Sequence, residues 1–204
     1  DISLIEKNKI VKDTEIHNKE ILEEAKKNGK GAIIISGHFG NWERVAHTIN
    51  ELGYKISVII KRQKNTLIDR YQNKIREKRG IGVIYSHKGT RKILEELKKN
   101  NFIGMLSDQD VGERGVFLKF FGIPSSTPKG AGRFVLKTGA FLIFAYGIIE
   151  GDKFKLFFEK INVNKNMCEE EILQEYLNTL EEKIKRYPSH YFWFHKRWKS
   201  TINY

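Results

Sequence analysis

Residues 31–53 read GAIIISGHFGNWERVAHTINELG, and they hold a strand, a loop and a helix in immediate succession. The apolar run Gly31–Ser36 is short and uninterrupted, which predicts a buried strand. The helix that follows is indicated by apolar residues at the helical period: Trp42, Val45, Ala46, Ile49 and Leu52. Asn41 is the expected N-cap and Gly53 the expected stop. Such a helix must bury its apolar face on a sheet or on another helix.

The same alternation of strands and helices extends along the rest of the chain. We expect further strands at residues 55–60, 82–85, 102–106, 141–149 and 153–158, and further helices at residues 15–27, 66–79, 90–99, 131–138 and 169–185. In the helix at 66–79, the expected core residues are Leu67, Tyr71 and Ile75. Strand–helix pairs with short connections predict an α/β fold, with a mixed, mainly parallel sheet flanked by helices. A chain of 204 residues is long enough for one substantial core, so we expect a single domain over 1–204.

The chain is strongly basic. It carries 37 Lys plus Arg against 25 Asp plus Glu, a net charge of +12, which favours nucleic acid, an anionic membrane or an acidic carrier protein as partner. The single cysteine, Cys168, excludes an internal disulfide. The longest apolar stretch, residues 141–149, is about half of the roughly 20 residues that a bilayer crossing requires, so no span is expected here. The first residue is Asp1 rather than Met, and we expect that an N-terminal segment is missing.

His38 and Glu43 are the candidates for chemistry. They follow the first strand at its carboxyl end, where open α/β sheets usually bind ligands. A His and an acid five residues apart occur by chance in a chain with 6 His and 25 Asp plus Glu, so the prediction depends on context. Gly37 and Gly40 flank the histidine, and the helix dipole favours a charged Glu43 that orients the His38 ring while it takes a proton. The alternative is a buried structural histidine beside a solvated glutamate.

Four blocks of sequence, in order, resemble one known family, the lipid A late acyltransferases, which are the lauroyl and myristoyl transferases of Gram-negative outer-membrane biosynthesis. The blocks are Gly37–Glu43 with its His-x-x-x-x-acid pair; Ile60–Arg62 with Asn65 and Asp69; Ser107–Asp110 with Gly115–Phe117, Phe120–Pro124 and Thr127; and Tyr187, Pro188, Tyr191, Trp193 and His195–Lys199. The second block has Lys-Arg-Gln at 61–63 where the family usually has Tyr-Arg-Pro, which leaves Arg62 as the match. The likeness covers nearly the whole chain.

The resemblance implies a glycerolipid acyltransferase-like fold and an O-acyltransferase that moves a fatty acyl group from an acyl thioester to a hydroxyl of a lipid A precursor. His38 is then the general base, oriented by Glu43. The implied substrate-binding residues are Gly40, Asn41, Arg62, Asp108, Gln109, Phe120, Phe121 and Thr127. Either Arg62 or a backbone N–H near Gly40 is expected to stabilise the oxyanion. With no Gly-x-Ser-x-Gly elbow and no credible cysteine nucleophile, direct attack is expected rather than an acyl-enzyme.

The resemblance also implies partners and a location. The expected donor is acyl carrier protein or acyl-CoA, the acceptor a lipid A precursor or related membrane lipid, and the working surface an anionic membrane, without nucleic acid. No metal and no cofactor are expected, since His190 and His195 form only a loose pair. The protein is expected at the cytoplasmic face of the bacterial inner membrane, with the family's N-terminal anchor missing from this chain.

Residues 107–130 interrupt the alternation with a long stretch rich in Gly, Pro, Ser and Asp, which predicts a functional or mobile loop. Asp108 and Asp110 either contact substrate, brace the loop or cap turns. The aromatic run 116–123 either lines an acyl-chain groove, dips into a bilayer or forms ordinary core. We expect the segment to close over the reacting groups. The cluster at 196–199 is expected to be a solvated face or a membrane-surface patch.

Two other functions remain open. The acceptor is alternatively another membrane glycolipid, such as a mannosylated phosphatidylinositol, or a lysophospholipid. The second alternative is a function of a different class, in which the chain is a non-catalytic basic module that binds nucleic acid or anionic membrane. That second alternative fits the charge and the interleaved aromatic residues, but it gives no reason for the ordered blocks.

Overall fold

A computed structural model of the chain describes residues 9–87 and 89–204, and within them a seven-stranded sheet lies between two layers of helices. The strands of this sheet are β1 (Thr14–His17), β2 (Ala32–Ser36), β3 (Ile56–Ile60), β4 (Gly82–Tyr85), β5 (Phe102–Leu106), β8 (Phe141–Glu150) and β9 (Lys153–Lys160), while β6 (Val116–Phe120) and β7 (Ile123–Thr127) form a separate hairpin. The helices are α1 (Lys9–Lys12), α2 (Glu20–Lys27), α3 (Trp42–Glu51), α4 (Thr66–Lys78), α5 (Thr90–Lys98), α6 (Gly130–Thr138) and α7 (Glu169–Arg186).

The sheet has the order β1-β9-β8-β2-β5-β3-β4 and is mainly parallel. Strands β8, β2, β5, β3 and β4 share one direction, and only the β8–β9 pairing is antiparallel. Central strand β2 is buried on both faces: Ile33 and Ile35 pack towards α6 and α7, whereas Ile34 packs towards α2 and α3. A strand covered on both faces has no polar side to show, which explains its continuous apolar run. The predicted mixed, mainly parallel sheet flanked by helices is confirmed.

The bounds predicted from the sequence agree with the structure to within two residues for every element but two. The first exception is the helix expected at 15–27, which begins only at Glu20. Residues 14–17 instead form β1, which pairs in parallel with residues 154–157 of β9. The unpaired edge of β9 offers backbone hydrogen bonds that a lone helical turn cannot match, so the tertiary partner overrides the local preference.

The second exception is the segment at 107–130, where we expected a long loop. Its core is the β6–β7 hairpin, closed by the two-residue turn Phe121-Gly122 between the paired residues Phe120 and Ile123. Both turn residues have positive φ, 52° and 76°, as a type I′ turn requires. A phenylalanine with positive φ is uncommon, and the sequence signal for this turn was therefore weak.

Helix α4 has the opposite orientation to the one predicted. The residues expected to face the core include Leu67 and Tyr71, which are 73% and 58% exposed. The buried residues are instead polar: Asp69, Asn73 and Arg76. The hydrogen bonds that these three side chains form keep them inside and turn the apolar residues outward. Among residues 9–87 and 89–204, no helix combines the length and the apolar composition needed to cross a membrane.

Candidate active site

The loop between β2 and α3 carries His38 at the carboxyl edge of the sheet. Asn41 is the N-cap of α3, as predicted, since its side chain accepts a hydrogen bond from the Arg44 amide at 3.0 Å. Gly40 has φ +58°, and a Cβ there would lie 1.7 Å from the Gly147 carbonyl oxygen. The glycine is therefore required by contact with β8 rather than by approach of a substrate. Its amide donates to the His190 carbonyl at 2.7 Å, which leaves it engaged and removes it as an oxyanion donor.

His38 is held by Asp108, through both carboxylate oxygens. The ring Nδ1 lies 2.8 Å from Asp108 Oδ1, and the His38 backbone N–H donates to Oδ2 at 2.9 Å. Asp108 is only 2% exposed. A buried carboxylate on Nδ1 fixes the orientation of the imidazole and stabilises the imidazolium that forms when the other nitrogen takes a proton.

The sheet places Asp108 beside His38 although 70 residues separate them. Strands β2 and β5 pair in parallel and in register, and the Ser107 amide extends that pairing by donating to the Ser36 carbonyl at 3.0 Å. The residues that follow the two strands must then be neighbours. The Tyr191 hydroxyl also bonds to Asp108, and burial together with that carboxylate raises the pKa of Tyr191 well above its usual range.

The second ring nitrogen of His38 faces a cavity. With Nδ1–H donating to Asp108, Nε2 carries the lone pair and is the atom that accepts a proton. The Gln109 side-chain nitrogen lies 3.4 Å from Nε2. Trp42 and Phe192 flank the ring, with centroids at 5.0 and 6.3 Å. This arrangement provides an oriented base with a polar side chain next to the atom that reacts.

Glu43, expected on the His38 ring, binds a different residue. Its two carboxylate oxygens pair with the guanidinium of Arg76, one of them with Nε at 3.0 Å. Arg76 in turn donates to Asn73, and Asn73 and Tyr85 both bond to Asp69. The orientation of the ring expected from Glu43 is thus supplied by Asp108. The first turn of α3 points the Glu43 side chain towards α4, where an arginine offers a two-point contact.

The Glu43 network ends at the loop between β3 and α4. Asp69 accepts the Gln63 backbone N–H at 2.9 Å. That hydrogen bond and the one from Tyr85 lower the pKa of the Asp69 carboxyl. The hydrogen bond between Tyr85 and Asp69 also raises the pKa of the Tyr85 hydroxyl. These bonds fix the loop that carries Arg62, whose side chain is exposed. The substrate-binding role expected for Arg62 stays a prediction.

A cavity of about 570 Å³ lies between α3, α4 and the strands β2, β3 and β5, with His38, Glu43, Gln109 and Arg76 on its wall. Most of the remaining lining residues are apolar: Ile34, Trp42, Val45, Ala46, Ile49, Ile56, Val58, Ile59, Ile60, Met105 and Leu106. The lining also includes the polar residues Ser36, Lys61, Gln63, Asp69 and Gln72. Gly104 also lines the cavity, and a Cβ there would come within 3.2 Å of Val58. The volume falls in the range of roughly 300–1,000 Å³ typical of small-molecule sites, and an apolar wall with a few convergent polar groups is their usual composition.

Three residues predicted to bind substrate lie elsewhere. Phe120 is fully buried and stacks on Trp198, because the hairpin lays this face of β6 on α7 and the C-terminal segment. Thr127 is also fully buried, and its hydroxyl accepts from Arg197 at 2.8 Å. Phe121 is half-buried and its amide donates to Glu181 at 2.7 Å. None of the three lines the cavity described above. Phe120 is core, but Phe117 in the same aromatic run is 47% exposed, so the role expected for the run stays a prediction.

The C-terminal segment contributes residues that the sequence did not identify as structural. Arg197 is 1% exposed and donates to the Ser126 carbonyl and to Thr127, and burial lowers the pKa of its guanidinium. His195 accepts the Asp110 backbone N–H at 3.0 Å, and burial lowers the pKa of that imidazole. Asp110 also accepts the Ser200 hydroxyl at 2.7 Å, so it braces this junction. The segment thereby pins the loop that holds Asp108. The only signal in the sequence was the resemblance of its closing block.

Comparison with known proteins identifies the family of the chain. Residues 1–200 match the family described as bacterial lipid A biosynthesis acyltransferase. The chain is 26% identical over 187 residues to lipid A biosynthesis acyltransferase 2 of Shigella flexneri, covering 89% of this chain and 59% of that protein. It is 27% identical over 128 residues to a phosphatidylinositol mannoside acyltransferase of Mycobacterium tuberculosis strain H37Rv, covering 60% of this chain and 40% of that protein. The chain thus spans about half the length of the curated relatives it matches. Its sequence places it in the bacterial lipid A biosynthesis acyltransferase family.

Proposed function

We propose that this chain catalyses transfer of a fatty acyl group from an acyl thioester to a hydroxyl of a membrane glycolipid, with a lipid A precursor as the acceptor. The observation that carries the proposal is the His38–Asp108 pair, whose free nitrogen faces a largely apolar cavity. A general base next to an apolar chain site is what acyl transfer to an alcohol requires.

The reaction proceeds by direct attack. His38 Nε2 takes the proton of the acceptor hydroxyl while the hydroxyl oxygen forms a bond to the thioester carbonyl carbon. The carbon–sulfur bond of the tetrahedral intermediate then breaks, and the departing thiolate recovers the proton from Nε2. Asp108 stabilises the imidazolium between these two events. Gln109 and Arg62 are the proposed contacts to the polar reacting groups, since Gln109 lies beside Nε2 and Arg62 is a permanent cation.

The acyl chain occupies the aliphatic part of the cavity. Its walls are built from the α3 side of the sheet, so a chain that enters past His38 runs between Ile34, Val58 and the helix residue Ile49. Removal of this apolar surface from water supplies binding energy at about 25 cal/mol per Å². An acyl chain bound in this part of the cavity places the thioester carbonyl carbon next to His38, which lines the same cavity.

Donor and acceptor both carry acidic groups, and the net charge of +12 supports attraction of each. We propose an acyl carrier protein as donor, because an acidic protein gains most from a basic surface. The second-order rate constant with such a donor should fall steeply as salt is added, since the Debye length shortens to about 3 Å at 1 M. A rate constant unaffected by salt would contradict a basic docking surface.

The test is transfer from an acyl thioester to a lipid A precursor, followed by mass spectrometry, for the parent chain, His38→Ala and His87→Ala. His87 is exposed and serves as the matched control. His38→Ala should lose about 100- to 10,000-fold in rate, whereas His87→Ala should match the parent. Acylation of a mannosylated phosphatidylinositol in place of the lipid A precursor would retain the mechanism and change the acceptor. Parent-like turnover by His38→Ala would refute the proposed base.

A further inference from the structure

Helix α4 presents apolar side chains to solvent near the site. Leu67, Ile68 and Tyr71 are 73%, 49% and 58% exposed. Large apolar residues grouped on one turn of a helix, with the polar face of that helix buried, reverse the usual arrangement. A solvent-facing apolar group of this kind marks an interaction surface.

The C-terminal segment forms a second exposed apolar group. Phe194 is 90% exposed, Trp193 50% and Phe192 41%. The Trp193 indole N–H donates to the Pro188 carbonyl at 2.8 Å, so its only polar atom is satisfied within the protein. The Phe192 and Phe194 rings lie 5.6 Å apart. These side chains stand outside the core, although the ring of buried Tyr191 lies only 4.9 Å from that of Trp193.

Both groups belong to the same edge of the sheet. Strands β2 and β3 each pair in parallel with β5, so their carboxyl ends lie at one edge. Helix α4 follows β3 after a five-residue loop at 61–65. The C-terminal segment is bonded to the loop that follows β2, since the Phe192 amide donates to the His38 carbonyl at 2.9 Å. The two apolar groups therefore lie at the edge of the sheet where His38 lines the cavity.

The charge around the two groups is of one sign. Residues 61–74 contain Lys61, Arg62, Lys64, Arg70 and Lys74, and their one acid, Asp69, is buried and hydrogen-bonded. Residues 183–204 contain no Asp or Glu. The exposed residues Lys196 and Lys199 follow shortly after the aromatic residues 192–194. Basic side chains interleaved with exposed Phe, Trp and Leu match an anionic bilayer surface, where the apolar groups enter the headgroup region and the cations meet phosphates.

We propose that the α4 edge (Leu67, Ile68 and Tyr71) and the C-terminal edge (Phe192, Trp193 and Phe194) together form the surface that docks this protein on an anionic phospholipid bilayer. The inference rests on the proposed function, since docking at these edges would bring His38 close to a lipid acceptor in the bilayer. A bilayer is favoured over an acidic protein because the exposed apolar side chains are interleaved with lysines, which are depleted at protein–protein interfaces but usual on surfaces that bind anionic lipid.

The experiment measures sedimentation of the chain with vesicles of phosphatidylcholine, with and without phosphatidylglycerol. The parent should bind the anionic vesicles and lose most of this binding at high salt. Leu67→Ser and Phe194→Ser should each weaken binding about tenfold. Lys64→Gln and Arg70→Gln should each weaken it about fivefold, from roughly 1 kcal/mol per cation near the surface.

Matched controls lie at the opposite edge. Leu136 is 46% exposed at the end of α6, which leads into the amino end of β8, and Lys27 and Lys98 are exposed where α2 and α5 end. Leu136→Ser, Lys27→Gln and Lys98→Gln should bind vesicles like the parent. Thioester turnover without vesicles should be unchanged in Leu67→Ser and Phe194→Ser, which shows that these variants fold.

Catalysis and docking are separated by His38→Ala, which should bind vesicles as well as the parent even if it transfers nothing. Failure of the proposed reaction thus leaves the docking test intact. Absence of binding to anionic vesicles, or equal loss in Leu136→Ser and Phe194→Ser, would overturn the proposed surface. So would variants at Lys64 and Arg70 that lose affinity for an acidic carrier protein while vesicle binding stays unchanged, since the surface would then be a protein dock.

Discussion

Two carboxylates of the candidate active site, Asp108 and Glu43, bind different partners. Asp108 is buried after β5 and gives both oxygens to His38. Glu43 is 36% exposed on the first turn of α3 and gives both oxygens to Arg76. The two acids have the same chemistry, so the difference lies in the partner that the fold brings to each. The β2–β5 edge holds a proton-transfer pair, whereas the α3–α4 layer holds a structural network.

Proximity in sequence is a poor guide to which side chains pair in a site. Glu43 is five residues from His38, and its side chain turns to another helix. Asp108 is distant in the chain but adjacent through the register of two parallel strands.

The largest effect is expected for Asp108→Asn. The amide keeps the shape of the carboxylate but offers an N–H to the ring, which disfavours the tautomer with its lone pair on Nε2 and no longer stabilises imidazolium. Acyl transfer should fall about 100- to 10,000-fold while the circular dichroism spectrum stays that of the parent. A rate within a few-fold of the parent would remove Asp108 from the mechanism.

A smaller effect, about tenfold in rate, is expected for Glu43→Gln. The substitution leaves Arg76 without its charged partner, so the free energy of unfolding should also fall, by about 1–2 kcal/mol after allowance for partial exposure. In a double-mutant cycle with Arg76→Gln, the two losses of stability should not add. If Glu43→Gln instead abolished transfer without loss of stability, Glu43 would act on His38 directly, as the sequence suggested.

His47 tests whether the α3–α4 layer is indeed structural. This side chain is 2% exposed, and burial lowers its pKa to about 4. The unfolded chain takes up the proton near pH 6.5 and the native protein only near pH 4. The contribution of neutral His47 to stability is therefore present above about pH 6.5 and is lost as pH falls towards 4.

Urea unfolding between pH 7 and 4 measures this contribution. We expect it to be on the order of 3 kcal/mol, since the pKa is lowered from 6.5 to about 4. His47→Gln should therefore show a shallower fall in the free energy of unfolding than the parent over that range. Parallel curves for the two proteins would mean that the imidazole is not held neutral. The difference between proteins isolates His47 from carboxylates that also titrate there.

The smallest effect concerns the acyl chain. Gly104→Val should narrow the cavity, because the new side chain projects from the sheet beside Val58, its paired neighbour on β3, and both residues line the cavity. The preference among donors should then shift a few-fold towards shorter acyl chains. Phe121→Ala should leave the chain-length profile unchanged, since Phe121 lies outside the cavity lining. Competition between donors of different length, read by mass spectrometry, compares the two variants. If only Phe121→Ala changed the preference for acyl-chain length, the acyl chain would bind along the β6–β7 hairpin instead of in the cavity.

Much of the fold followed from local sequence patterns. The strand at 31–36 and the helix that begins at Trp42 were predictable because burial on both faces leaves an apolar run and burial on one face leaves a 3.6-residue repeat. Those patterns also placed His38 at a strand's carboxyl end, as the structure confirms. Asn41 followed for the same reason, since a helix N-terminus has local requirements. The structural need for Gly40 is different, because it comes from the contact with β8.

Tertiary structure decided what depends on partners far apart in the chain. The acid on His38 is set by strand register, the exposure of Leu67 by the buried network of Asp69 and Arg76, and the burial of Phe120 by the hairpin's position on α7. Contacts from several elements decide whether a side chain is buried. The periodicity of one helix or strand predicts only that its apolar face is buried. Where a polar network outweighs that tendency, as in α4, the pattern predicts the wrong face.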